Sequence, residues 1–427
     1  MESEVPRLVS YVLAETVSAI SKTHQDHWPQ ILEWLVSSIA SNDDDKFREV
    51  ALSVLSSLPN DCRFLVCDAL RDRRRLLHSS FLSSLASSNP NVQVASFGAL
   101  VSLVQLFSDP SLFHDLLRAM MAGVFTLLHG FEGTYFRIAF IELINLVSQE
   151  PLLLKPYVSD MVLDALQIAE SEGFSKETHR LAFELVMGMT EVKEYGEHVL
   201  LNLPSQTVVR LFLVPMKMLL CIEEDGGVGD HDHDHDHDFG IKCLKQLCVT
   251  LGGSKVLAIA SELLPLYLDS KEWKKRHAGI TMLTLISKEF SDEMVLMENF
   301  LGEVLTKVLN SFQDSHAQVR LAAFNFMETP TNFVHVAQTL YHPRLLNAFS
   351  IALDNDQDYK VKVKAASAML FFLRNTFPES LTMFKDVDTE MGKLLSLLQV
   401  KRSVKQRRIA LSTFNLVAQR CHEVAHK

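Results

Sequence analysis

Gln313-Asp314-Ser315-His316-Ala317-Gln318-Val319-Arg320-Leu321-Ala322-Ala323-Phe324-Asn325-Phe326 is the stretch that decides the fold. A short polar segment with an acid leads into a basic residue and into apolar side chains at Val319, Ala322, Ala323 and Phe326. That i, i+3, i+4, i+7 spacing lines one face of an α-helix. Asp314 or Ser315 stands where a cap is expected, able to accept an orphan amide and, for Asp314, to place an anion at the positive helix end. The pattern recurs about every 43 residues. Other copies are Phe47, Val50, Ala51 and Val54; Val94, Phe97, Gly98 and Val101; Phe136, Ala139, Phe140 and Leu143; Ala182, Leu185, Val186 and Met189; and Ala365, Ala368, Met369 and Phe372. A helical period of this length predicts an all-α solenoid, whose hairpins pack only on their neighbours.

Inner helices are predicted near 5–22, 45–58, 91–107, 134–149, 176–191, 240–252, 273–290, 316–333, 360–376 and 404–420. Amphipathic segments between them, such as Trp28 to Ile39, Leu112 to Leu128, Leu154 to Glu170, Val256 to Leu268 and Leu301 to Phe312, are predicted outer helices. Asn89-Pro90 and Asp43-Asp44-Asp45 read as helix starts, and Gly252-Gly253 as a helix end. The one long step, about 64 residues, holds an acidic, histidine-laced insertion that lengthens a loop and leaves the stacking intact. The chain is therefore divided into repeats over 1–222, an acidic loop over 223–239 and repeats over 240–427, as one continuous solenoid.

Apolar residues make up 48% of the chain, enough for a continuous core, and 16 Gly and 13 Pro leave few places for turns. A net charge of −11 argues against a general nucleic-acid binder and suits basic protein partners. Six cysteines without a CxxC pair read as reduced thiols of a cytosolic or nuclear protein. The acidic Met1-Glu2-Ser3-Glu4 start lacks signal-peptide order, and the most apolar segment, Val208 to Ile222, is interrupted by Arg210, Pro215 and Lys217. No P-loop, nucleophile elbow or HExxH motif occurs, so no enzyme, catalytic residue or cofactor is expected.

Three segments carry a family likeness: Leu251-Gly252-Gly253-Ser254-Lys255-Val256-Leu257, Glu272-Trp273-Lys274-Lys275-Arg276-His277-Ala278-Gly279, and Gln313 to Ala323. Trp28-Pro29 and Phe47 to Leu52 add weaker matches, as does the acidic loop before the Leu-Gly-Gly segment. In order and spacing the chain resembles the importin-β (karyopherin-β) family, its importin-5-like branch, shortened at both ends. The resemblance implies a HEAT/armadillo-type α-solenoid, a right-handed superhelix of helical hairpins. It implies a nuclear transport receptor or adaptor that binds basic cargo, such as ribosomal proteins or histones, on its concave face. Ran GTPase and Phe-Gly nucleoporins are implied partners, with shuttling between cytoplasm and nucleus and a place at the nuclear envelope or pore. A monomer without membrane insertion or direct nucleic-acid contact is expected. Because the first repeats and the C-terminal arch of such receptors have no counterpart, Ran-driven release is expected to be weakened or absent. The alternatives are a non-transport HEAT scaffold for a multiprotein complex, or a truncated cargo chaperone or decoy.

Candidate cargo contacts follow from charge and position. Glu223, Glu224, Asp225, Asp230, Asp232, Asp234, Asp236 and Asp238 fall in residues 223–238 with no Lys or Arg, an electrostatic lure for basic segments or else a solvated linker. His231, His233, His235 and His237 alternate with these acids. They are the candidate metal ligands, although such a tract would bind Zn²⁺, Ni²⁺ or Cu²⁺ weakly and without fixed geometry. Trp273 could stack on a cargo lysine or pack against the preceding repeat. Asn325 and Glu328 lie off the apolar face of their helix, as cargo contacts or plain solvated positions. Arg71, Arg73, Arg74 and Arg75 form a basic run between helices.

Overall fold

The computed structural model describes residues 28–41, 45–58, 60–107, 109–130, 134–196, 202–222 and 235–375, with 392–393, 408–409, 411–416 and 418 beyond. The predicted helix at 5–22 and most of that at 404–420 lie outside the described residues. Two compact units divide at Thr207 and Val208. Among the described residues there is no strand.

The helices of two or more turns in the first unit are α1 (Trp28–Ala40), α2 (Asp45–Ser56), α3 (Asn60–Ala69), α4 (Arg74–Leu85), α5 (Pro90–Ser102), α6 (Pro110–Gly130), α7 (Thr134–Gln149), α8 (Val158–Glu170) and α9 (Lys176–Glu191). Inner helices α2, α5, α7 and α9 pack in a row, and α1, α4 and α6 form a second layer behind them. The second unit holds α10 (Ser205–Met218), which starts just before the division, then α11 (His235–Leu268), α12 (Trp273–Glu289), α13 (Glu298–Ser311), α14 (Ala317–Met327), α15 (Asn332–Asn355) and α16 (Tyr359–Asn375). Here α11, α12, α14 and α16 make the inner row, with α13 and α15 behind. Each unit is an α-solenoid of stacked helical hairpins, as the period predicts.

The period is visible in the core. Phe97, Phe140 and Phe183 occupy corresponding turns of α5, α7 and α9, and all three are fully buried. Burying each such ring contributes roughly 1.5–3 kcal/mol. Gly98 lies beside this row, where a Cβ would meet the Ser56 Cβ at 2.7 Å, so α2 and α5 close to a distance that only glycine allows.

On six inner helices the side chain of the fourth residue folds back onto the turn that precedes the helix. Arg48 Nε donates to Ser41 O at 3.0 Å, Gln93 Nε2 to Leu85 O at 2.7 Å, and His179 Nε2 bonds Ser171 O at 2.8 Å. In the second unit Arg276 donates to Ser270 O (2.9 Å), Arg320 to Asp314 O (2.7 Å) and Lys362 to Asp354 O (3.0 Å). Two of these arginines also reach forward. Arg276 grips Asp314 through two bonds of 2.6 and 2.7 Å, and Arg320 grips Asp356 through two of 2.6 and 2.7 Å. The carboxylates are buried, which makes these forked pairs strong and geometrically specific. Burial alone would raise the Asp314 pKa, but hydrogen bonds from Arg276 and the His316 amide, with the Arg276 charge, hold it below the usual carboxylate range. Arg137 makes the equivalent forward pair with Glu177 at 3.0 Å, at an exposed site where water weakens it.

Several boundaries differ from the sequence reading for clear reasons. The cap of α14 is His316, whose ring accepts the Gln318 amide, while Asp314 accepts the His316 amide one step earlier. That helix stops at Met327 because Pro330 disfavours helical backbone before it, and Thr331 then caps α15. The helix expected from 240 begins at His235, where Asp236 and Asp238 suit its positive end. Asn89 caps α5 through the Asn91 amide at 3.0 Å, with Pro90 first in the helix, as expected. Gly252, at φ 74°, breaks α11 into two segments, each shorter than the roughly 20 residues needed to cross a bilayer. Cys67, Cys243 and Cys248 are buried, and burial pushes the Cys248 thiol up to about 12.

Gly98→Ala is expected to cost about 1–3 kcal/mol in urea unfolding, because the added methyl overlaps Ser56. Arg276→Met leaves the Asp314 carboxylate without its main partner and should cost about 3 kcal/mol. Because the folded Asp314 pKa is depressed, its contribution is present above the unfolded value near ~3.9 and is lost as pH falls through the folded value. The stability gap between the wild type and Asp314→Asn should therefore be full at neutral pH and shrink below about pH 4. A gap that persisted in acid would assign the effect to something other than charge.

Candidate functional site

The solvent face of the inner helices is where side chains of successive hairpins converge without filling the core. In the first unit it forms a groove of about 370 Å³ lined by Glu49 and Ser53 of α2, Asn91 and Gly98 of α5, and Ile138 and Glu142 of α7, among others. The close approach at Gly98 brings α2 and α5 together beneath it, and the site of a Cβ there lies 3.7 Å from the Glu142 carboxyl carbon. Burial raises the Glu142 pKa, against a hydrogen bond from Asn145 at 3.4 Å and the Arg63 charge. A carboxylate held in a recess, short of full solvation, is suited to a cationic side chain.

Neither Glu49 nor Glu142 was singled out by sequence. The available signal was Glu142 standing one residue before Leu143, inside the apolar run of α7.

In the second unit Trp273 opens α12 and stacks on His316, with ring centroids 3.6 Å apart and planes 7° apart. Lys274 Nζ lies 5.7 Å from the indole centroid. The indole thus contacts the hairpin that follows it. Asn325 is exposed on α14. Glu328, at the end of that helix, accepts a bond from Lys364 of α16 at Oε2, while its Oε1 is buried without a hydrogen-bond partner. Asn325 and Glu328, three residues apart, share one strip of the helix surface.

Of the acidic insertion, Glu223, Glu224, Asp225, Asp230, Asp232 and Asp234, with His231 and His233, lie outside the described residues. Asp236 and Asp238 sit in the first turn of α11, and His235 begins that helix. Among the described residues no group of three or more metal-ligating side chains occurs. In the arginine run, Arg71 pairs with Asp68 and Arg73 with Glu33 of α1, at the surface. The Arg73 hydrogen bond lowers the Glu33 pKa despite an opposing burial effect.

Residues 2–163 match a family model described as "IPO5-like, TPR repeats". Importin subunit beta-3 of Saccharomyces cerevisiae is 22% identical over 434 residues, covering 98% of this chain and 38% of the yeast protein. The chain thus spans well under half the length of that relative. Solved structures of Kap121p alone, bound to Pho4p and bound to Nup53p each match with a TM-score of 0.75 at 21% identity, over 92% of this chain and 38% of theirs. At that identity the structural match speaks for the fold. The first 163 residues are thus similar to importin-5-like repeats, and the chain shares the α-solenoid fold of Kap121p.

Proposed function

We propose that the chain is a nuclear transport receptor or adaptor that holds basic protein segments against the solvent face of its inner helices. The observation that carries this reading is the Glu142 recess, a desolvated carboxylate at the floor of a groove spanning three inner helices. A lysine or arginine entering it replaces lost hydration with a charge-assisted hydrogen bond. Glu49 adds charge at the rim, and Asn91 offers hydrogen bonds to an extended backbone.

In the second unit Asn325 and Glu328 are the equivalent contacts, with Trp273 at the start of the neighbouring helix. Glu223, Glu224, Asp225, Asp232, Asp234, Asp236 and Asp238 act as the electrostatic lure, raising the encounter rate with basic partners more than the final affinity. The solved complexes of Kap121p with Pho4p and Nup53p support a protein-binding role for this fold. The corresponding location is cytoplasm and nucleus, with Phe-Gly nucleoporins as pore contacts and a weak response to Ran-GTP. No enzymatic step belongs to this reading.

A Lys/Arg-rich histone-tail peptide, titrated by fluorescence anisotropy, tests the groove. The pair Glu49→Gln and Glu142→Gln should weaken binding about tenfold, the loss of one charged hydrogen bond. Because the Glu142 pKa is raised, wild-type affinity should fall on acidification earlier than an ordinary carboxylate would require. Neutralising the acids between 223 and 234 should slow association and flatten its salt dependence. Release on adding Ran-GTP would mark a working import receptor, and indifference to it a cargo chaperone. Unchanged affinity in both sets of variants would sink the proposal.

A further inference from the structure

We propose that His237 and His277 form a two-imidazole site for a divalent transition metal, with Zn²⁺ as the reference ion. His237 lies in the first turn of α11 and His277 on the adjacent inner helix α12, and their ring centroids are 5.8 Å apart. His237 Nε2 and His277 Nδ1 are both buried and neither has a hydrogen-bond partner. Two orphaned ring nitrogens on facing helices are costly unless something joins them.

The spacing suits a shared ion. A metal about 2.0–2.1 Å from each ring nitrogen stands roughly 3.2 Å from each centroid, so bridged rings are about 5.2 Å apart at a tetrahedral angle and about 6.4 Å when linear. The observed separation falls between these limits. Asp238 Oδ1 lies 3.6 Å from His237 Nδ1, too far for a direct hydrogen bond. Ligation through the buried Nε2 would leave Nδ1 on the side of that carboxylate. His277 is 9% exposed, so the site lies under the helix surface rather than on it. The remaining coordination positions are left to water, since among the described residues no third metal-ligating side chain joins the pair.

The site differs from the alternating His/Asp tract, because His277 fixes it to the solenoid. Calorimetric titration of the untagged, chelator-stripped full chain with Zn²⁺ at pH 7.2 tests it. One ion per chain, with a rise in melting temperature, is expected. The triple change His231→Asn, His233→Asn and His235→Asn should leave that affinity within about threefold, whereas His277→Gln should weaken it at least about tenfold. His237→Gln, in an outer helical turn, should do the same and decides the matter should His277→Gln fail to fold. Absence of a stoichiometric event, or loss of binding with the triple change and none with His237→Gln, would overturn the proposal.

Discussion

Six inner helices are each held to the turn before them by one donor on their fourth residue. The turns between helices carry carbonyl groups that no helix ladder can satisfy, and leaving them unpaired in a packed junction is expensive. Arg48, Gln93, His179, Arg276, Arg320 and Lys362 all answer that need, although they differ in charge and shape. The constraint is thus positional: a long donor one turn into the helix, able to fold back over its own entry. Arginine does more, because its planar fork can serve the preceding carbonyls and a following carboxylate at once. At Arg276 and Arg320 that second grip ties three consecutive turns into one polar ladder behind the apolar core.

Much of this was legible in the sequence. The apolar face of each inner helix repeats at its own spacing, so Phe97, Phe140 and Val186 are assigned to the core without reference to any contact, whereas Phe183 stands outside the repeating pattern. The acid-then-basic order around Asp314 and Arg320 is likewise visible in the sequence, but the partners of the two charges, Arg276 and Asp356, are shown only by the structure. The donors Gln93 and His179 were not legible, because their residue types carry no signature and only the backbone turn shows what they reach. Nor was the Glu142 recess, which depends on two helices closing at Gly98. A glycine in an apolar pattern does not say whether it serves packing or a groove. His277 is a third case: it stands 40 residues from His237 in sequence, and no short-range spacing pairs them.

The inner face combines two electrostatic regimes. Glu142, and the Glu328 oxygen without a partner, are held short of water, so a cation arriving there gains more than it would at an exposed acid. In the proposed reading the acids that precede α11 in sequence act at longer range and are sensitive to salt. A receptor of that kind attracts basic chains broadly and discriminates among them at the recesses. Trp273, already stacked on His316, contributes by fixing one hairpin of the second unit against the next.

The paired charges also give the array a direction. At the Arg276–Asp314 and Arg320–Asp356 junctions the cation belongs to the earlier hairpin and the anion to the turn that follows. A break at either junction would leave a positive face on one fragment and a negative face on the other. Two identical broken faces would repel, so a symmetric, face-to-face pairing through them is disfavoured, whereas unlike faces would attract. Such junctions therefore favour the stacking of each hairpin on the one before it in a single orientation.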